Sequence, residues 1–450
     1  LEILLQNSPA EVGIWFNGRE HLYLAKRMER KGIEFEEIPS IPRWGQSLKD
    51  IGYLKKNELV KPWNLKAIMR EIHNKLAAEA VGITRESEIA EQVIYLLFCK
   101  LYDEISKRPE ETVEFCAYIG ETAEELVDRI QRLFEKVKQE YADVFDKHDS
   151  IKLDPSSLSY VVGALQNYTI NVLIDEDIDA ITEALEAIIG PTLRGEKGQF
   201  FTPKNVINMV FEAFEPIMKK IIKTEGRIPL IIDPACGTGR FLIEGLRRVW
   251  KFLEEESKEK NWPDYFLLKK KEDAANSIRG IDKDAFLSKI AKAYMAIIGN
   301  GRGGIFCENS LNWPKEWPEL MRDRIKLGTF DFVVTNPPHG ARLTESDPSM
   351  LEQYELGKVW KKKQEIELKE YLCEDFNHIW INTNQVADSV AIPILFLERC
   401  VQLLRSGGWL AVVFPETYLG MPTYRYIPVS YTHLRAHETE ADLVCRLLLE

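Results

Sequence analysis

The chain has 450 residues, and 59 Lys+Arg against 71 Asp+Glu leave a formal charge of −12. With 45% hydrophobic and 29% charged residues it reads as a globular chain of about three domains, which excludes a disordered tail, a collagen-like repeat and a surface coated in positive charge. Nucleic acid stays open as a substrate, because a local groove can be basic on an acidic chain, but other modules would then supply many phosphate contacts.

The opening stretch, LEILLQNSP, has no basic region before an apolar run, so it does not read as a signal peptide. It also lacks an initiator Met, and the expectation is a fragment of a longer chain. Residues 1–55 predict a small β unit from EVGIWFNG, REHLYLAKR and FEEIPSIPR, with Asn17-Gly18 as a hairpin turn and Pro39 and Pro42 closing it. Residues 60–190 predict a helical domain. Apolar positions recur at helical spacing in EIAEQVIYLLFCKLYDEI and TAEELVDRIQRLFEKVKQEY, and the acid-rich stretch 171–190 is expected to stop at Gly190-Pro191. Its acids read as a solvated face, with a partner-binding surface as the sharper alternative. From 191 to 427 the pattern alternates. Strands are expected in IPLIID (228–233), SIRGID (277–282), GGIFCE (303–308), DFVVTN (331–336) and WLAVVFP (409–415). A helix with Leu242, Leu246, Val249 and Leu253 on one side follows the first strand, and another, AIPILFLERCVQLLRSGG, ends at Gly407-Gly408. This alternation predicts an α/β fold on a parallel sheet, with ligands beyond the carboxyl ends of the strands.

No apolar run approaches the ~18 residues of a membrane span. The seven cysteines (99, 116, 236, 307, 373, 400, 445) have Cys99 and Cys116 as their nearest pair, 17 residues apart. That spacing excludes CxxC metal or redox pairs, fits free thiols in a reducing cytosol, and gives no metal site.

Three strings bear chemistry. DPACGTGRF, from Asp233 to Phe241, follows a buried strand. Gly237 and Gly239 allow a tight turn and close approach of a ligand to the backbone, the next helix offers free N–H groups, and Asp233 could meet a ligand ammonium. A dinucleotide site would want GxGxxG with an acid about 20 residues on; here Asp282 lies 43 residues past Gly239, unless the insertion KEKNWPDYFLLKKKED accounts for the distance. TNPPHG follows the strand DFVV. Its prolines fix the backbone, so the Asn336 side-chain oxygen and the Pro337 carbonyl can both point outward as acceptors for a planar NH2 group. Accepting both hydrogens frees the nitrogen lone pair without a strong base. GQFFTPKNV, before the sheet, offers Phe200 and Phe201 as apolar faces, with Thr202 and Pro203 expected as N-cap and first residue of a helix. Each string also has a plain reading: a strand-to-helix turn, an Asn-Pro turn, and a staple on a core helix.

In order and spacing the three strings resemble the amino-group DNA methyltransferases of the gamma group, and specifically the modification subunit of type I restriction–modification systems, over about 60–427. The resemblance implies a Rossmann-like S-adenosylmethionine-dependent sheet behind a helical domain, and methyl transfer to the N6 amine of an adenine flipped out of double-stranded DNA. It assigns Asp233, Pro234, Ala235, Cys236, Gly237, Thr238 and Gly239 to the main cofactor loop and Asp282 to the ribose hydroxyls. Phe200, Phe201, Thr202 and Pro203 would cover the methionine part. Asn336, Pro337, Pro338 and His339 match the catalytic (D/N/S)PP(Y/F/W) tetrapeptide. His339 stands where the family has an aromatic ring that stacks on the adenine. Glu308 and Asn309, in CENSL, are assigned to the cofactor or adenine side, although the family's acid sits one place later. Residues 1–55 resemble the end of a restriction-type N-terminal domain, and 428–450 resemble a translated sequencing adapter rather than native chain, with the sheet's final strands then missing beyond about Ile427. The implied partners are DNA, a specificity subunit or a separate target-recognition domain, and a restriction subunit, in a prokaryotic cytoplasm. Rival readings are a protein glutamine-amide methyltransferase, a non-catalytic interaction subunit that keeps the fold, and, disfavoured by the missing GxGxxG, a nucleotide-binding dehydrogenase.

Overall fold

A computed structural model describes residues 1–16, 21–29, 32–38, 41, 54–83, 85–118, 121–176, 178–192, 202–299, 301–339, 343–362 and 380–427. The Asn17-Gly18 turn, Pro39, Pro42, Phe200, Phe201 and the 428–450 segment lie outside the described residues. The chain divides into two units, Leu1–Phe200 and Phe201–Glu450.

The first unit opens with a short helix, α1 (Glu2–Gln6), and an antiparallel sheet in the order β1 (Val12–Phe16), β2 (His21–Glu29), β3 (Gly32–Glu37). Phe16 pairs with His21, so four residues separate the paired ends of β1 and β2. Helices follow: α2 (Leu65–Glu79), α3 (Glu86–Ser106), α4 (Ala123–Glu140), α5 (Pro155–Leu165), α6 (Asn171–Glu176) and α7 (Ile178–Thr192). Their starts are written in the sequence. Asn64 and Asp154 accept backbone N–H groups at the heads of α2 and α5, and Thr122 with Glu125 forms a reciprocal capping box on α4. On α3 the run Tyr95–Cys99 is buried; Tyr95 stacks on Phe134 at 4.7 Å and Phe98 meets Phe145 edge-on at 4.9 Å. The α7 helix does not stop at Gly190-Pro191 but runs to Thr192. Proline in a last turn forfeits one backbone bond, which the burial of Ile181, Leu185, Ile188 and Ile189 outweighs. On its other side Glu183 reaches Lys66 of α2 at 3.2 Å.

The second unit begins with α8 (Lys204–Lys219) and then winds strand and helix alternately: β4 (Ile231–Asp233), α9 (Arg240–Lys260), α10 (Asp264–Ala275), β5 (Ile278–Asp282), α11 (Ala285–Gly299), β6 (Ile305–Cys307), α12 (Glu319–Arg324) and β7 (Phe330–Thr335). After β7 come β8 (Thr344–Glu345), α13 (Pro348–Leu351), β9 (Lys358–Lys362), β10 (Trp380–Val386), β11 (Val390–Ala391), α14 (Ile392–Leu403), β12 (Leu404–Val412) and α15 (Thr417–Gly420). The main sheet has the order β12-β7-β4-β5-β6, and every pairing in it is parallel. The expected α/β architecture is therefore present. Two small antiparallel ribbons, β8 with β11 and β9 with β10, stand outside it.

From β4 the chain lays β5 and β6 on one side, then crosses to lay β7 and β12 on the other. The boundary between β4 and β7 is the topological switch point, where adjacent crossovers leave in opposite directions and open a crevice. Helix α9 buries Leu242, Leu246, Val249 and Leu253, the four residues picked out by their spacing. The insertion after it forms α10, packed on α9, so a second helix fills the long interval between Gly239 and Asp282. The helix expected to reach Gly407-Gly408 ends at Leu403, and β12 starts at once with an irregular register between Leu404 and Trp409. The cause is tertiary: Arg405 Nε donates to the buried Asp331 carboxylate at 2.5 Å, and that carboxylate also holds Arg227 at 2.6 and 2.7 Å and the Leu230 N–H.

Candidate active site

At the carboxyl end of β4 the chain turns through Asp233-Pro234-Ala235-Cys236-Gly237-Thr238-Gly239 into α9. The turn needs its glycines: Gly237 has φ +51° and Gly239 φ +86°, in the left-handed region that side chains other than glycine avoid. A Cβ on Gly239 would also stand 3.3 Å from the Ala291 methyl, whereas one on Gly237 would meet open space. The Cys236 and Thr238 side chains are buried, so the loop offers its backbone more than its side chains. Cys236 N–H donates to the Ile281 carbonyl at 2.9 Å, which ties the loop to β5.

Two carboxylates frame this loop. Asp233 is 1% exposed, and its Oδ1 accepts the Ala235 N–H at 3.0 Å. Burial pushes its pKa up to about 7, the Ala235 N–H pulls the other way, and the Asp282 charge adds to the rise. Asp282, at the end of β5, accepts the Gly237 N–H at 2.9 Å and the Asp284 N–H at 2.9 Å. Burial raises its pKa too, opposed by those two N–H groups. Each carboxylate oxygen keeps a second lone pair for a ligand.

Beside β4, β7 ends at Thr335, fully buried, and Asn336-Pro337-Pro338-His339 follows at the same edge of the sheet. The Asn336 amide is held at both ends. Its Nδ2 donates to Thr202 Oγ1 at 3.1 Å, and its Oδ1 lies 2.9 Å from His339 Nε2. Donation from an Nε2–H satisfies this second contact and leaves one Oδ1 lone pair unused. His339 is exposed and, in this arrangement, braces the amide.

The third string is displaced by one residue from its expected role. Pro203, not Thr202, is the N-cap of α8, and no side chain caps that helix. The reason is that the Thr202 hydroxyl is already engaged by Asn336, while its carbonyl accepts from Arg240 Nη1 at 2.6 Å. Loop, TP segment and NPP turn are thus joined by hydrogen bonds through Arg240, Thr202 and Asn336. Nothing in the local sequence around Arg240 marks its contact with a residue 38 positions away.

Glu308 and Asn309 follow β6, and the Glu308 N–H donates to the Asp282 carbonyl at 3.0 Å. Their side chains are used in a local turn: Glu308 Oε1 accepts the Asn309 N–H at 2.8 Å, and Asn309 Oδ1 accepts the Leu311 N–H at 3.1 Å. Among the described residues the cysteines 99, 116, 236, 307 and 400 are free thiols, no group of three or more His, Cys, Asp or Glu is placed to hold a metal ion, and no helix is long and apolar enough to cross a membrane.

Against known proteins, the family model described as N-6 DNA Methylase matches residues 176–420, more than half of the chain. The chain is 26% identical over 224 residues to the type I restriction enzyme EcoEI methylase subunit of Escherichia coli, a match covering 49% of this chain and 33% of that protein. It is 27% identical over 158 residues to the type II methyltransferase M.MamI of Microbacterium ammoniaphilum, covering 32% of this chain and 35% of that protein. The matched stretch thus spans about a third of the length of these relatives. A solved structure described as a type I restriction–modification system in complex assembly and conformational transition aligns over 82% of this chain and 68% of its own, at 18% identity and a TM-score of 0.46.

Proposed function

The chain belongs to the N-6 DNA methylase family, and on that premise we propose that it transfers a methyl group from S-adenosylmethionine to the N6 amine of adenine in DNA, as the modification component of a restriction–modification system. The observation that supports this most is the placement of two different chemistries on neighbouring strands at one switch point. Asp233 ends β4 and the NPP turn ends β7.

The donor set fits the cofactor. Asp233, buried, and Asp282, half-buried, are two acceptors at one edge, suited to a ligand bearing an ammonium and vicinal hydroxyls, and Gly237 leaves its backbone open. We assign Asp233 and the loop through Gly239 to the amino-acid portion and Asp282 to the ribose. Thr202 and Pro203 adjoin the loop through Arg240. Glu308 and Asn309 are assigned the rim beside Asp282, through backbone groups, since their side chains are engaged in their own turn. When bound, S-adenosylmethionine supplies an electrophilic methyl group.

The chain's own residues prepare the nucleophile. An adenine amine is planar because its lone pair is conjugated with the ring. The free lone pair of Asn336 Oδ1 and the Pro337 carbonyl accept its two hydrogens and stabilise the positive charge that develops on nitrogen. Pro337 and Pro338 keep the turn rigid, so this arrangement costs no reorganisation during reaction. The base must leave the duplex to reach Asn336. The net charge of −12 favours a separate specificity module as the source of much of the phosphate contact.

The test is Asn336→Ala. Methyl transfer should fall by about 10²–10³-fold in a tritium-transfer assay, as when one preorganised stabilising group is lost. Cofactor affinity by titration calorimetry should stay within about twofold, less than half a kcal/mol. Equal loss of both would remove Asn336 from the assigned role. Transfer of label to a glutamine amide of protein, with none to DNA, would replace the substrate.

A further inference from the structure

The TP segment ahead of α8 is expected to cover cofactor, yet its hydroxyl is engaged elsewhere. Thr202 is 9% exposed, makes no helix cap, and spends its Oγ1 on Asn336 Nδ2, across 134 residues of sequence. From the other side Arg240, the first residue of α9 after the glycine turn, donates to the Thr202 carbonyl. We infer that Thr202 is a positioning residue for the methyl-transfer step, resting on the role proposed for Asn336: its hydroxyl fixes the plane of the Asn336 amide, and its carbonyl ties that plane to the cofactor loop.

The physics is that of a soft torsion. Rotation about the last bond of an asparagine side chain is broad and roughly two-fold, so packing alone does not fix the amide plane. A backbone pinned by Pro337 and Pro338 settles where the side chain starts, not how its oxygen is aimed. Two contacts settle the aim. His339 Nε2 stands at the oxygen end and Thr202 Oγ1 at the nitrogen end. His339 is exposed, whereas Thr202 is buried and anchored through Arg240, so Thr202 is the stiffer support. An acceptor turned out of line with the amine stabilises the transition state less, because hydrogen bonds weaken steeply away from linearity.

The experiment compares Thr202→Val, Thr202→Ala and Thr202→Ser in the full chain, with S-adenosylmethionine and DNA. Valine keeps the shape and removes only the hydroxyl. The expected result is a fall in kcat of about 3–10-fold for valine and alanine, the worth of one ordinary hydrogen bond. The calorimetric cofactor Kd should stay within about twofold, and serine should restore kcat. Unchanged circular dichroism and cofactor Kd identify folded variants. Wild-type kcat in the valine variant would overturn the inference, as would a loss lying wholly in cofactor Kd, or serine failing as badly as valine. Should valine not fold, the alanine–serine pair decides by the same criteria. Failure of the wild-type chain to methylate adenine would bring down the underlying reading and this inference together, whereas an active wild type with an unaffected valine variant brings down this inference alone.

Discussion

Asp233 is the residue whose environment makes the sharpest demand. A carboxyl pushed up to about 7 by burial is largely protonated below neutrality, and the charged form is the one that pairs with an ammonium. Cofactor binding should therefore strengthen as pH rises towards 7, by up to about tenfold per unit, and level off above it. Calorimetry at pH 6 in buffers of different ionisation enthalpy should show release of roughly one proton, falling towards zero at pH 8. Affinity flat from pH 6 to 8 would mean that Asp233 does not face the cation. The same shift acts on stability. The raised pKa means the folded chain holds this proton more tightly than the unfolded chain, so the contribution is complete below about pH 4 and is lost as pH rises through 7. Three units correspond to ~4 kcal/mol at most. Asp233→Asn should thus stabilise the cofactor-free chain above pH 7, in urea titrations, while weakening cofactor binding. An asparagine variant less stable than wild type at pH 8 would contradict the assignment.

Elements are set by contacts between strands as much as by local pattern. Gly280, in the middle of β5, has no left-handed φ to explain it; space does, because a Cβ there would stand 2.6 Å from Leu242 Cδ1, 2.8 Å from Ile305 Cδ1 and 3.0 Å from Cys236 Sγ. Gly280→Ala should cost ~1–3 kcal/mol in denaturant titration, the usual penalty of overpacking, and displace the glycine loop through Cys236. A stability within 0.5 kcal/mol of wild type would show that the loop and α9 yield freely. At the other end of the sheet Asp331 holds Arg227, Arg405 and the Leu230 N–H, and these partners keep its pKa below the ordinary value despite burial. Its stabilisation is present above pH ~4 and lost as pH falls through its lowered pKa. Asp331→Asn should cost ~2–3 kcal/mol at pH 7, below the range for fully buried pairs because both arginines are partly exposed. The difference from wild type should shrink on acidification.

Across the whole molecule, the legible parts were those whose cause is local. The glycine loop, Asp282 at a strand end and the NPP turn are short strings that dictate their own backbone, and the strand–helix alternation dictates the parallel sheet. What stayed hidden depends on residues far apart. The end of α14 at Leu403 follows from Arg405 reaching Asp331, the run of α7 past Pro191 from its buried face, and the engagement of Thr202 from Asn336. His339 holds the stacking position of the tetrapeptide, and its contact with Asn336 Oδ1 is a matter of rotamer that no spacing announces. The central claim is that the acid-framed loop after β4 and the NPP turn after β7 act together on adenine. Its most direct test is to incubate the chain, with and without Asn336→Ala, with DNA and S-adenosylmethionine carrying a deuterated methyl, then digest the DNA and weigh its nucleosides. N6-Methyldeoxyadenosine three mass units heavy is expected from the wild-type chain and almost none from the variant. Labelled methylcytosine, or a cofactor-bound wild-type chain that leaves adenine unlabelled, would contradict it.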